Sequence, residues 1–75
     1  MPNVVGSRVR EARHRGGARV TQLQLAARLQ TLGIDIGRTA ISKIEAGRRP
    51  VTDSEIAAIC KALDVSVQWL FGDRG

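Results

Sequence analysis

Apolar residues recur at intervals of three and four along most of this chain, which is the spacing that places them on one face of an α-helix. The two clearest series are Leu25, Leu29 and Leu32 and, further on, Ile56, Ile59 and Leu63. No segment shows a sustained alternation of apolar and polar residues with turn residues at both ends, the pattern typical of β-strands. The periodicity therefore predicts an all-α fold.

Short sequence signals predict where three helices begin. Each signal is an apolar residue, a Thr or Ser, and a second apolar residue four positions after the hydroxyl; the hydroxyls belong to Thr21, Thr52 and Ser66. Such a hydroxyl accepts a hydrogen bond from a backbone amide of the first turn, and the flanking apolar pair can pack as a staple. After the first two, Gln24 and Glu55 stand where they complete a capping box. Helices are predicted to start near all three hydroxyl residues.

Five helices in one domain account for the whole pattern. They are predicted over residues 4–15, 21–32, 38–46, 52–63 and 66–71. Gly16 and Gly17 are expected to stop the first helix, and Gly72 the last. A chain of 75 residues has room for one hydrophobic core, so residues 1–75 are interpreted as a single domain.

The third predicted helix has an apolar side and a polar side. When its residues are placed about 100° apart around the axis, Ala40, Ile41 and Ile44 fall together. The other side carries four polar residues and no carboxylate: Arg38, Thr39, Ser42 and Lys43. Short polar side chains between long basic ones suit a DNA groove, where the long ones reach base edges or phosphates. A solvated helix surface is an equally good interpretation of this segment taken alone.

The charge of the chain is unevenly distributed. Residues 8–49 contain ten Arg or Lys and three acidic residues, whereas residues 50–75 contain two basic and four acidic residues. A basic block joined to a mildly acidic one favours a polyanionic partner for the first two-thirds of the chain. A basic surface kept for solubility is the alternative that charge alone leaves open.

Residue types that carry catalysis or bind metals are scarce. The chain has one cysteine, Cys60, and one histidine, His14, so neither a disulfide nor a Cys/His zinc site can form within it. Cys60 lies in an apolar run and is expected to be buried. His14 lies in a basic run, and no glycine-rich phosphate loop appears. The sequence therefore predicts no enzyme, no cofactor and no metal site.

The sequence also lacks the signals of membrane insertion and export. No apolar stretch approaches the roughly 20 residues that span a bilayer. The N-terminus has no apolar segment long enough for a secretory signal. No membrane association is predicted, and the expected location is the cytoplasm.

Four segments resemble the phage-repressor and Cro-like (XRE-type) helix-turn-helix DNA-binding domains. They are TQLQLA at 21–26, TAISKIEAG at 39–47, RRP at 48–50 and LDVSVQWL at 63–70. The likeness extends over about residues 5–72. It implies a compact, five-helix, lambda-repressor-like fold with the helix-turn-helix in the second and third helices. It also implies sequence-specific binding to a double-stranded DNA operator by a transcriptional regulator, in particular a repressor, of bacterial or phage type.

The resemblance assigns roles to particular residues. Positions that reach base edges in the major groove are matched by Arg38, Thr39 and Lys43, with Ser42 as a weaker candidate. Phosphate-binding positions are matched by Gln22, at the start of the second helix, and by Arg48 and Arg49, after the third. The resemblance therefore gives the chain seven candidate DNA-binding residues.

An ion pair between the first and third helices is also implied, and here it would join Arg13 to Glu45. Glu45 falls at the boundary between the two sides of the third helix, where a carboxylate facing DNA would be repelled by phosphate. The pair is therefore expected to form. The alternative is a solvated Glu45, with Arg13 free to contact phosphate.

The connection between the second and third helices, at 32–37, is longer than the short turn of the commonest family members. Its two isoleucines are expected to tuck into the core. Because no Thr or Ser stands at the expected N-cap position of the third helix, Asp35 or Gly37 must act as its N-cap residue. The pattern leaves open whether Arg38 is the first helical residue or part of the loop.

A domain of this size makes few DNA contacts, so a homodimer is expected on a two-fold operator with half-sites about one helical turn apart. The C-terminal block is not basic and supplies Trp69 and Phe71 as candidate interface residues. Packing in the core is the alternative role for both.

A second candidate function is a protein-interaction module on the same fold, such as an antitoxin with a toxin as its protein partner, and it can coexist with DNA binding.

Overall fold

The computed structural model describes residues 4–15 and 19–72, which fold into five α-helices without a strand. The helices are α1 (Val4–Arg13), α2 (Gln22–Thr31), α3 (Arg38–Glu45), α4 (Asp53–Leu63) and α5 (Val67–Leu70). The prediction of an all-α, five-helix fold is confirmed. The glycine pair that was expected to stop the first helix, Gly16 and Gly17, lies outside the described residues.

Side-chain caps begin three of these helices. The Thr21 hydroxyl accepts a hydrogen bond from the Gln24 amide at 3.0 Å, and the Gln24 side chain accepts one from the Thr21 amide at 2.9 Å. Thr52 and Glu55 repeat this reciprocal arrangement at 3.2 and 3.0 Å, and Ser66 caps α5 through one bond. These bonds satisfy amides that have no partner within the helix. The structure therefore starts α2, α4 and α5 directly after the three hydroxyl residues.

The helices enclose a core of aliphatic side chains. Those that are fully buried are Val9, Leu25, Leu29, Ile41, Ile44, Ile59 and Leu70. Burying each of them stabilises the fold by roughly 1.5–3 kcal/mol relative to leaving it exposed. Cys60 belongs to the same cluster, and its burial raises the pKa of the thiol. Cys60 thus packs as a small apolar residue.

The long connection between α2 and α3 lies against the core. Gly33 has a φ of 82°, which favours glycine, and the amide of Ile34 bonds back to the last turn of α2 at 2.9 Å. Ile34 is half-buried and Ile36 is buried. Arg38 is the first residue of α3, and Gly37 is its N-cap without a side-chain hydrogen bond. The extra length of this connection is therefore ordered by apolar packing.

The helices α1 and α3 approach closely at Gly6. A Cβ atom on Gly6 would overlap the carbonyl oxygen of Ile44 and would lie 3.0 Å from that of Glu45. Only a residue without a side chain allows the two backbones this separation. The crossing places the C-terminal end of α3 directly against α1.

Candidate nucleic-acid interface

A bidentate ion pair joins the last turn of α1 to the last residue of α3. Arg13 donates from Nε to Oε2 of Glu45 at 2.7 Å and from Nη2 to Oε1 at 2.8 Å. The two side chains are only 9% and 6% exposed. Arg13 Nη1 also donates to the carbonyl of Val20 at 3.1 Å. The pair therefore ties α3 to α1 and to the segment that leads into α2.

Gln22, the first residue of α2, is attached to the same carboxylate. Its Nε2 donates to Oε1 of Glu45 at 3.2 Å, and the residue is half-buried. A glutamine amide carries two hydrogens, so one remains for a ligand. The N-terminus of α2 adds a positive dipole end, which favours an anion at this position.

The exposed side of α3 is a row of four polar residues: Arg38, Thr39, Ser42 and Lys43. The opposite side packs into the core through Ile41 and Ile44. Among the described residues, neither Arg38 nor Lys43 has a side-chain hydrogen bond or an ion-pair partner. Their charges are therefore free to meet an anion or an acceptor brought by a ligand.

The two arginines after α3 have different surroundings. Arg48 is exposed, without a side-chain partner in the part of the chain that is described. Arg49 donates to both carboxylate oxygens of Glu55 at 2.9 Å and to the carbonyl of Pro50 at 3.0 Å. The hydrogen bonds from Arg49 lower the pKa of Glu55. Arg49 is thus held in a fixed position, whereas Arg48 extends into solvent.

The last helix presents a covered aromatic ring and an exposed apolar pair. Trp69 is half-buried, and the guanidinium carbons of Arg8 and Arg15 lie 4.5 and 4.7 Å from its ring centroid. Arg8 lies in α1 and Arg15 lies just after its end, and both contacts are of the cation–π type. Val67 and Phe71 are 46% and 53% exposed. The apolar surface that α5 offers outside the chain therefore belongs mainly to Val67 and Phe71.

Two concave surfaces beside α3 contain residues that sequence reasoning missed. A cleft between α1, α2 and α3 is lined by Arg10, Arg13, Gln22, Ser42, Glu45 and Ala46. A second depression brings Arg38 together with His14, Arg19 and Leu23, and Leu23 is 63% exposed. The sequence signal for Arg10 was its spacing of three from Arg13, which places both on one side of α1. No local pattern could have shown which helices that side meets.

The described residues offer neither a metal site nor a membrane span. In residues 4–15 and 19–72, no group of three His, Cys, Asp or Glu side chains could hold a metal ion. None of the helices over the same ranges is long and apolar enough to cross a membrane. The chemistry of this surface is that of guanidinium, ammonium, amide and hydroxyl donors.

Comparison with protein families gives a match over most of the chain. A family model described as helix-turn-helix matches residues 10–70, a span that runs from within α1 to the last residue of α5. Neither the curated proteins nor the solved structures gave a match.

Proposed function

Because the chain belongs to the XRE-type helix-turn-helix family of DNA-binding transcription regulators, we propose that it recognises a specific double-stranded operator and represses transcription from it. The observation that carries this proposal is the row of exposed polar side chains on α3, opposite a buried apolar side. The Arg13–Glu45 pair holds that helix in one orientation. A rigid helix with outward-facing donors is what a major groove accepts.

In this proposal, Arg38, Thr39 and Lys43 lie at base edges, with Ser42 beside them. Arg38 has the planar fork that matches the two acceptors of guanine, and a good bidentate contact of this kind contributes about 1–3 kcal/mol of discrimination. Thr39 and Ser42 are short, so they allow the helix axis to approach the bases. Lys43 carries a single charge on a long stem and reaches an acceptor further along the groove.

Phosphate contacts are proposed on both sides of α3. Gln22 offers its second amide hydrogen at the N-terminus of α2, and Arg48 offers an exposed guanidinium in the loop after α3. Arg49 retains donors of its own, because an arginine has five N–H groups and its hydrogen bonds to Glu55 and Pro50 use three of them. Contacts of this kind give affinity that falls steeply as salt rises.

A homodimer on DNA completes the proposal. Val67 and Phe71 supply the exposed apolar area at α5 and its C-cap, whereas the ring of Trp69 is contacted by Arg8 and Arg15 of the same chain. Two copies related by a two-fold axis would place their α3 helices in successive turns of the major groove, about 34–36 Å apart. The expected site of action is the cytoplasm.

Selection of bound duplexes from a random pool tests the operator proposal directly. The enriched sequence should be a two-fold repeat, and the Arg38→Ala, Lys43→Ala double variant should bind it no better than an unrelated duplex. A matched control is the Arg28→Ala, Lys61→Ala double variant, which removes the same charge from exposed positions on α2 and α4. If no duplex is enriched, the proposed function is wrong. If the α3 double variant keeps its sequence preference, the base-reading assignment is wrong.

A further inference from the structure

We propose that Glu55 is a positioning residue for DNA binding: its carboxylate holds the Arg49 guanidinium in the orientation that receives a backbone phosphate. This inference rests on the proposed function, in which Arg49 is one of the phosphate contacts, and it adds a residue that does not touch DNA itself. Glu55 lies in the first turn of α4, six positions after Arg49 in the chain. The pair therefore connects the loop after α3 to a helix that carries none of the proposed DNA contacts.

The backbone on both sides of Arg49 has a fixed course. Gly47 has a φ of 77°, and the following amide, that of Arg48, donates to the carbonyl of Lys43 at 2.8 Å, which ends α3 in a tight turn. Beyond Arg49, Val51 is partly buried against the core. The freedom that remains at Arg49 therefore lies in its side chain.

Glu55 restrains that side chain through both carboxylate oxygens. Nη1 and Nη2 of Arg49 each donate to one oxygen at 2.9 Å, and Nη1 also donates to the carbonyl of Pro50 at 3.0 Å. The carboxylate is itself held by the capping box, in which Oε1 accepts the Thr52 amide at 3.0 Å. The side chain of Glu55 is 13% exposed and that of Arg49 is 33% exposed. The guanidinium is thus attached to the start of α4 while part of it stays open to solvent.

The donors that remain on Arg49 lie along one edge of the guanidinium. Glu55 and Pro50 use both hydrogens of Nη1 and one hydrogen of Nη2. In this planar group the unused hydrogens of Nε and Nη2 point the same way, and no described residue accepts a hydrogen bond from either. Such an edge binds two oxygens of a phosphate at once. A phosphate can therefore bind Arg49 without displacing Glu55.

Arg48, in the same loop, shows what an unrestrained arginine offers instead. Its side chain is exposed and has no partner among the described residues, so it must lose rotamer freedom when it binds DNA. Arg49 has already lost this freedom in the folded chain. The Arg49–Glu55 pair carries no net charge, so it attracts a polyanion less than Arg48 does. Arg49 therefore fixes where the phosphate lies, whereas Arg48 contributes attraction.

The test is a double-variant cycle on the duplex enriched by selection. Glu55→Gln keeps an acceptor for the Thr52 amide, as Gln24 does in the capping box of α2, but its amide group places donors against a guanidinium that only donates. Asp53→Asn is the matched control, because it removes the same charge from an exposed, unpaired position in the same described turn. Relative to Asp53→Asn, Glu55→Gln should weaken binding roughly two- to tenfold, the cost of immobilising one long side chain.

The same substitution in an Arg49→Gln background separates positioning from a structural effect. If Glu55 acts through Arg49, Glu55→Gln and Asp53→Asn should bind DNA equally well in that background. A loss of the same size in both backgrounds would overturn the proposal, because the effect would then come from α4 itself. Stronger binding by Glu55→Gln than by Asp53→Asn when Arg49 is present would also overturn it, because the carboxylate would then compete with DNA for the guanidinium.

A second variant keeps the test valid if Glu55→Gln alters folding. Arg49→Lys keeps the charge and leaves the capping box of α4 intact, but an ammonium group lacks the planar fork that can hold a carboxylate and a phosphate together. It should weaken binding by a similar factor, with little change in the slope of log K against log salt, because the charge is conserved. If Arg49→Lys binds as tightly as the wild type, the fixed guanidinium edge does not hold a phosphate.

The failure of this inference can be distinguished from failure of the proposed function. Wild-type protein that enriches no duplex overturns both before any variant is made. Wild-type protein that enriches a duplex, together with a Glu55→Gln variant indistinguishable from Asp53→Asn, overturns the positioning role alone. A loss confined to one base pair of the operator would also overturn it, because a phosphate contact acts on all sequences.

Discussion

Arg13 and Glu45 are separated by 32 residues in the chain, yet their side chains form a two-bond ion pair that is almost completely buried. The same carboxylate accepts a hydrogen bond from Gln22. One glutamate therefore connects the end of α1, the start of α2 and the end of α3. The buried carboxylate of Glu45 thus positions α3, which carries the residues proposed to read bases. It also positions Gln22, which is proposed to hold a phosphate at the start of α2.

The first prediction concerns the stability of this pair. Glu45→Ala leaves the Arg13 guanidinium buried without its partner and should lower the free energy of unfolding by about 3–5 kcal/mol. The double variant Arg13→Met, Glu45→Leu should recover much of that loss, because apolar residues of similar volume often replace a buried pair at little cost. Urea denaturation of the wild type, Glu45→Ala and the double variant measures both effects. Equal stability of Glu45→Ala and wild type would contradict the prediction.

The second prediction concerns Gly6, where α1 meets α3. In an unhindered helix, replacing glycine by alanine stabilises by roughly 0.5–1 kcal/mol. At Gly6 the added Cβ would overlap the carbonyl oxygen of Ile44, so Gly6→Ala should instead destabilise the fold by about 1–3 kcal/mol, as overpacked sites do. Gly6→Val should cost more still. Thermal melting shows whether the substitution stabilises or destabilises the fold. A stabilised Gly6→Ala variant would show that α1 and α3 lie further apart than described.

Features that depend on neighbouring residues could be predicted from the sequence. Thr21, Thr52 and Ser66 mark helix starts because a cap bonds to an amide only two or three positions away, and the structure shows each of those bonds. The apolar side of α3 could be predicted for the same reason, since Ile41 and Ile44 share a helix face by spacing alone. The start of α3 could not, because Gly37 caps it without a side-chain signal.

Features that depend on tertiary contacts could be recognised only from the folded structure. Glu55 was recognised only as part of a capping box, although the loop also brings it to Arg49. The convergence of Arg10 with Ser42 depends on how α1 crosses α3, and no pattern along the chain encodes a crossing geometry. Trp69 was identified as a candidate interface residue, but the sequence did not predict that Arg8 and Arg15 contact its ring.

The third prediction follows from the lowered pKa of Glu55. A carboxylate whose pKa is lower in the folded than in the unfolded chain contributes stability above its ordinary value of 4.5, and this contribution is lost as the pH falls through the folded-state pKa. Between pH 7 and pH 3, the melting temperature of the wild type should therefore fall more than that of Glu55→Gln. Asp35→Asn is the control, since Asp35 is exposed and unpaired in the described residues, and it should track the wild type. Parallel curves for wild type and Glu55→Gln would exclude a role for the Arg49–Glu55 pair in acid sensitivity.

The fourth prediction concerns the proposed dimer. Val67, the first residue of α5, and Phe71, its C-cap, are four residues apart, and both are about half exposed, whereas two arginines of the same chain already contact the ring of Trp69. The Val67→Ser, Phe71→Ser double variant should therefore keep its fold but bind a two-fold duplex as independent monomers. Sedimentation of the protein–DNA mixture should show one protein per half-site without cooperativity, in place of a cooperative two-to-one complex. Leu23→Ser removes a more exposed apolar side chain from another surface and should leave cooperativity unchanged; if it abolishes cooperativity while the α5 variant does not, the dimer forms through the α2 surface instead.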